Sequence, residues 1–134
     1  MGDTSLKEKD FLYVPEFRAY LENSAKKNGK SFAPKTIKRH VINVIDFLYY
    51  SSTHNYEVEL DGPDEVPIDD ELIKCGKKFF TPYFYGWLDY KNGESEDSIK
   101  QSISSVKKFY MFLKETGRID SDIAEDAIKD LIYV

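Results

Sequence analysis

The sequence predicts a single all-α domain of four to five helices, arranged as two helical hairpins closed by a C-terminal helix. Three observations predict it. Apolar residues recur at helical spacing in two long stretches: Ile37, Val41, Val44 and Leu48, then Ile99, Ile103, Val106, Phe109 or Tyr110, and Leu113. Start and stop residues bracket such stretches, with Pro34, Pro82 and Ser95 before them and Asn28-Gly29, Asn92-Gly93 and Gly117 after. The chain also repeats itself. Thr36-Ile37-Lys38-Arg39-His40-Val41 is matched by Ser98-Ile99-Lys100-Gln101-Ser102-Ile103, and Phe17-Arg18-Ala19-Tyr20-Leu21-Glu22 by Phe84-Tyr85-Gly86-Trp87-Leu88-Asp89.

Each element has its own warrant. Residues 1–10 are polar and are expected to form a flexible N-terminus, with the domain occupying 11–134. Pro15 suits a first helical turn, and Phe17, Tyr20 and Leu21 give that helix one apolar stripe. Pro34 opens a second helix running to about Ser51. Its later half is apolar nearly all round and should be the buried centre of the domain. Tyr56, Val58 and Leu60 alternate with acids like an exposed strand, but no partner strand is evident. Residues 54–68 therefore read as an extended acidic insertion, turning at Gly62-Pro63. Asp69 or Asp70 caps a short helix through Ile73. Pro82 starts a helix to about Lys91, Ser95 one to about Thr116, and Ser121 caps a last helix carrying Ile123, Ala127, Ile128 and Leu131.

Composition narrows the function. At 134 residues, the chain can bury a core without disulfides or metals, and its single Cys75 excludes an internal disulfide. The lone cysteine with no signal peptide points to a reducing, cytoplasmic location, and no apolar run approaches the ~20 residues of a membrane span. His40, His54 and Cys75 have no metal-ligand spacing, and no glycine-rich phosphate loop occurs. No metal, cofactor or catalytic residue is expected. The net charge of −5 argues against a generic polyanion binder, but charge is segregated. No acid lies between Glu22 and Asp46, where Lys26, Lys27, Lys30, Lys35, Lys38 and Arg39 fall. Eight acids and no base fill Glu57 to Glu71.

The basic stretch coincides with a predicted helix start, where cations oppose the helix dipole, so something other than helix stability favours them. Lys30, Lys35, Thr36, Lys38, Arg39 and His40 gather at the second helix, and Ser98, Lys100, Gln101 and Lys107 at the fourth. Backbone amides and hydroxyls there donate to phosphate oxygens, and cations release counterions on contact. Arg39 and Gln101 are equivalent in the repeat and carry base-reading chemistry. Simple first-turn capping is the competing reading of Thr36 and Ser98. The nucleic-acid reading requires both helix openings to lie side by side on one surface.

From Phe11 to Leu131 the pattern resembles the N-terminal core-binding domain of tyrosine recombinases and phage integrases. The resemblance is carried by Phe17 to Leu21, Ser31 to Pro34, Thr36-Ile37 and Phe47-Leu48. It continues through Phe84 to Tyr90, Ser98-Ile99, Lys108 to Leu113 and Gly117-Arg118-Ile119. It implies a SAM-like bundle that forms half of a clamp on double-stranded DNA, with Lys35, Thr36, Lys38, Arg39, Ser98, Lys100 and Gln101 facing the duplex. The family's strand-cleaving half has no counterpart here, since neither His is followed three residues later by Arg. The expectation is a non-catalytic DNA-binding domain, partnered by a downstream catalytic domain or sister subunits. The alternative is a helical protein-interaction module using the acidic insertion or the last helix.

Overall fold

The computed structural model describes residues 7–27, 32–58 and 62–134, and among them contains helices and no strand. Five α-helices follow in order: α1 (Val14–Lys27), α2 (Pro34–Thr53), α3 (Asp70–Lys74), α4 (Glu96–Glu115) and α5 (Ser121–Tyr133). A π-helix, Pro82–Lys91, lies between α3 and α4. Short 3-10 turns occupy Glu8–Asp10, Asn55–Glu57 and Gly76–Phe79. No described helix is long and apolar enough to cross a membrane.

Local chemistry explains the helix ends. The Ser95 hydroxyl accepts the Ser98 amide at 3.1 Å, and the Asp69 carboxylate accepts the Leu72 amide at 3.0 Å. The last helix is capped by Asp120, whose Oδ1 accepts the Asp122 amide at 2.8 Å. Ser121 already belongs to the helix, which corrects the expected cap by one residue. Gly93 and Gly117 take φ of +63° and +69°, the left-handed geometry that stops a helix with least strain at glycine.

Three expectations change. Pro82–Lys91 is wound as a π-helix, and the Asn92 amide reaches back five residues to the Trp87 carbonyl at 2.9 Å. Glu8 is tied down inside the expected flexible terminus, receiving Arg18 Nε and Nη2, each at 2.9 Å. Of the strand-like alternation after His54, Asn55–Glu57 form a 3-10 turn and Leu60 lies outside the described residues; from residue 64 the chain lies against the end of α2. There the Asn55 amide donates to the Asp64 carbonyl at 3.1 Å and the Val66 amide to the Ser52 carbonyl at 2.9 Å.

The core is aromatic. Phe17 of α1 meets Phe109 edge-on at 5.4 Å and Phe112 at 5.7 Å. Phe47 of α2 packs on Phe80 at 5.6 Å and Tyr83 at 5.4 Å. Each such ring, fully buried, contributes roughly 2–3 kcal/mol from area alone. Tyr110 donates its hydroxyl to the Ile73 carbonyl at 2.6 Å, directly above Gly76. A Cβ at Gly76 would sit 2.0 Å from that oxygen, so the site excludes any side chain. The central helix is α4, which packs on α5, α2, the π-helix and α1. α2 keeps one wet face, where Ile42 and Tyr49 are exposed.

Candidate nucleic-acid interface

The two helix openings singled out by the repeat differ in character. α2 begins with Pro34 and has no acid in its first turn. Lys35, Lys38 and Arg39 are exposed there. The Thr36 amide is already bonded to the Ala33 carbonyl at 2.9 Å, so the group Thr36 offers a phosphate is its hydroxyl. The α4 opening is acidic, with Glu96 and Asp97 in its first turn. Ser98 Oγ donates to Glu94 Oε1 at 2.7 Å, and Lys100 pairs with Glu96 at 3.3 Å. Ser98 and Lys100 thus have carboxylate partners, whereas Gln101 is exposed one turn further on. An acidic first turn stabilises a helix N-terminus and repels phosphate.

The openings are also apart. Phe32, just before α2, lines a small cleft with Lys108 and Met111. Further along α2, His40 Nδ1 lies 2.7 Å from Ser105 Oγ, and Asn43 Nδ2 donates to the same oxygen at 3.0 Å. Near the end of α2, Asp46 shares a cavity wall with Glu94. As numbers rise along α2 they fall along α4, so the two helices run antiparallel. The start of α2 lies beside residues 108–111 of α4, roughly 15 Å of helix rise from Ser98. The expected side-by-side placement of the two openings is therefore replaced by a crossing of the helices along their length. The repeat did not reveal this because a shared sequence pattern fixes neither helix direction nor partner.

Ser105 locks the crossing. Its hydroxyl donates to the Gln101 carbonyl at 3.0 Å, which leaves its lone pairs for Asn43 and His40. His40 then carries its proton on Nδ1. It is buried, and its pKa is lowered first by that burial and then by Lys108 and Arg39, so it is neutral at pH 7. His40 is therefore buried against α4 and links the two helices rather than lying on the surface. Both Lys108 and Arg39 lie near enough to His40 for their charge to lower its pKa.

Arg18, Lys74, Lys77, Lys100 and Lys114 each have a carboxylate within 4 Å among the described residues. Lys35, Lys38, Arg39, Lys107 and Lys108 make no ion pair with any described carboxylate. Cations elsewhere, Lys9, Lys91, Arg118 and Lys129, also make no ion pair with a described carboxylate, so the lack of a partner is not confined to α2 and α4. Among the described acids of Glu57–Glu71, Asp69 caps α3, Asp70 accepts the Tyr13 hydroxyl at 2.6 Å, and Glu71 pairs with Lys74. Lys30 lies outside the described residues. Lys108, beside Phe32 and near His40, was not singled out in the sequence, although it sits within the Lys107-Lys108 pair. Its relevance depends on which part of α4 meets the start of α2. Comparison with protein-family models, curated proteins and solved structures returned no match.

Proposed function

We propose that this domain binds double-stranded DNA without catalysing a reaction, through phosphate contacts along the face where α2 crosses α4. The observation that carries the reading is a group of cations on the start of α2 and the second half of α4 with no carboxylate partner among the described residues: Lys35, Lys38, Arg39, Lys107 and Lys108. Charge without an internal partner is available to phosphate, and Thr36 and Gln101 add neutral donors on the same two helices. In this reading the helices form the SAM-like pair of hairpins of a recombinase core-binding domain, with the duplex lying over the crossing.

Charge reversal tests the placement. Binding of a labelled duplex at low salt should fall at least tenfold on Lys38→Glu/Lys108→Glu and stay within about twofold on Lys100→Glu, since Lys100 already faces Glu96. Equal losses from both would return the site to the two helix openings. No retention of DNA by the wild type at any salt would reject the reading. That outcome would favour a protein-interaction module, for which α5 leaves Ile132 and Tyr133 exposed.

A further inference from the structure

At the opposite end of α2 from the basic face lies a cavity of about 460 Å³. Its walls come from the last turns of α2, the π-helix and the segment leading into α4. Three rings form one corner. Tyr50 stacks on His54 at 4.3 Å and 12°, and Trp87 stands steeply across both, 5.5 Å from Tyr50 and 4.8 Å from His54. The corner is braced by the Tyr50 carbonyl, 3.2 Å from His54 Nδ1, and by the winding of the π-helix that carries Trp87.

Facing the rings are three carboxylates: Asp46, Glu65 and Glu94. None makes an ion pair with a described cation, and no Lys or Arg lines the cavity. Glu94 accepts the Ser98 hydroxyl, which leaves its charge in place. The carboxylates do not converge into a metal-holding cluster among the described residues. On the inner side, the buried Ser102 hydroxyl neighbours Tyr83, which lines the cavity.

One of these rings, Trp87, already receives a cation. Lys91 Nζ stands 5.4 Å from the Trp87 ring centre, in an adjoining cleft that shares Tyr50, His54 and Trp87. The larger cavity offers those rings together with three carboxylates, and no described Lys or Arg lines it. Aromatic faces attract ammonium and guanidinium groups, and nearby carboxylates supply the neutralising charge. Phosphate-bearing ligands are repelled here.

We propose that this cavity binds an organic cation, an ammonium or guanidinium group, seated against Tyr50, His54 and Trp87 and neutralised by Asp46, Glu65 and Glu94. The group can arrive on a free amine or on a Lys or Arg side chain of another protein, and the chemistry of recognition is the same. The site does not depend on DNA binding, because it uses the other end of α2.

Trp87 is the only tryptophan of the chain, so its fluorescence reports on this cavity directly. Titration of the full chain with n-butylammonium and n-butylguanidinium should change Trp87 emission saturably in the roughly millimolar range, while n-butanol leaves it unchanged. Asp46→Asn/Glu94→Gln should weaken the response about tenfold, and Glu65→Gln alone should weaken it less. Lys35→Gln/Lys108→Gln should leave it intact, which separates this site from the DNA-binding reading. Capped Lys and Arg tripeptides decide the source. Binding tighter than the free amines assigns the site to a protein side chain, and weaker binding assigns it to a small molecule. An equal response to n-butanol, no saturable response, or undiminished amine binding in both carboxylate variants would overturn the proposal.

Discussion

Replacing Asp46 by Asn should make this protein more stable at neutral pH. Water reaches the Asp46 side chain, yet it sits in a concave wall where protein atoms displace much of its hydration. That burial, followed by the like charge of Glu94, pushes its pKa up to about 6 from the ordinary value of 3.8. An acid whose pKa is raised by folding disfavours the ionised fold. The penalty is complete above about pH 6, is relieved as pH falls towards the unfolded value, and is absent below both. Two pKa units correspond to about 3 kcal/mol at full effect, and solvent screening of a group this accessible reduces it to about 1 kcal/mol. Urea melts of the wild type and Asp46→Asn, compared at matched pH from about 4 to 8, isolate this residue from the other groups facing it, Glu65, Glu94, His54 and Tyr83. The variant should be about 1 kcal/mol more stable at pH 7, with the difference vanishing near pH 4. A difference independent of pH, or a variant less stable at pH 7, would show that the carboxylate makes a favourable contact, and the charged-cavity argument would fail.

Gly76→Ala should destabilise by about 2–4 kcal/mol in thermal or urea melts, through overpacking against Tyr110 and loss of its hydrogen bond to the Ile73 carbonyl. Tyr110→Phe removes the obstructing oxygen, so the double variant should lose clearly less than the sum of the two single changes. Additive losses would show that the oxygen is not the obstacle. Ser105→Ala should cost about 1–3 kcal/mol, because it strands the Asn43 amide and His40 Nδ1 at the helix crossing. Its DNA affinity should fall as well, and an unchanged melt would remove Ser105 as the lock.

The legible parts of this fold are those set by a few neighbouring residues. Ser95 and Asp69 cap their helices as their positions in the sequence suggest, and Gly93 and Gly117 close theirs. The π-winding of Pro82–Lys91 was not legible, because its aromatic pattern serves a 3.6-residue and a wider turn about equally. Nor was the pairing of Glu8 with Arg18, which needs the chain to reverse between them. His40 reads as a surface cation beside Lys38 and Arg39 until Ser105, from a distant helix, turns it into a buried neutral link. The repeat made the starts of α2 and α4 look equivalent. Glu94, Glu96 and Asp97 make one of them acidic, and the antiparallel crossing carries them apart. In the proposed reading Lys35, Thr36, Lys38 and Arg39 are kept on α2, Ser98 and Lys100 give way on α4, and Lys108 joins the already expected Lys107. The organic-cation cavity was wholly hidden, since its rings and carboxylates meet only when the end of α2, the π-helix and residue 94 come together.

The salt dependence of duplex binding tests the central claim most directly. Fluorescence anisotropy of a labelled duplex, titrated with the wild-type chain from about 25 to 200 mM salt, should give a slope of log K against log salt of about −4 to −5, matching five unpaired cations at about 0.9 ions each. Neutralising Lys38 and Lys108 together should reduce that slope by about 2. A flat slope, or no binding at the lowest salt, would contradict the account.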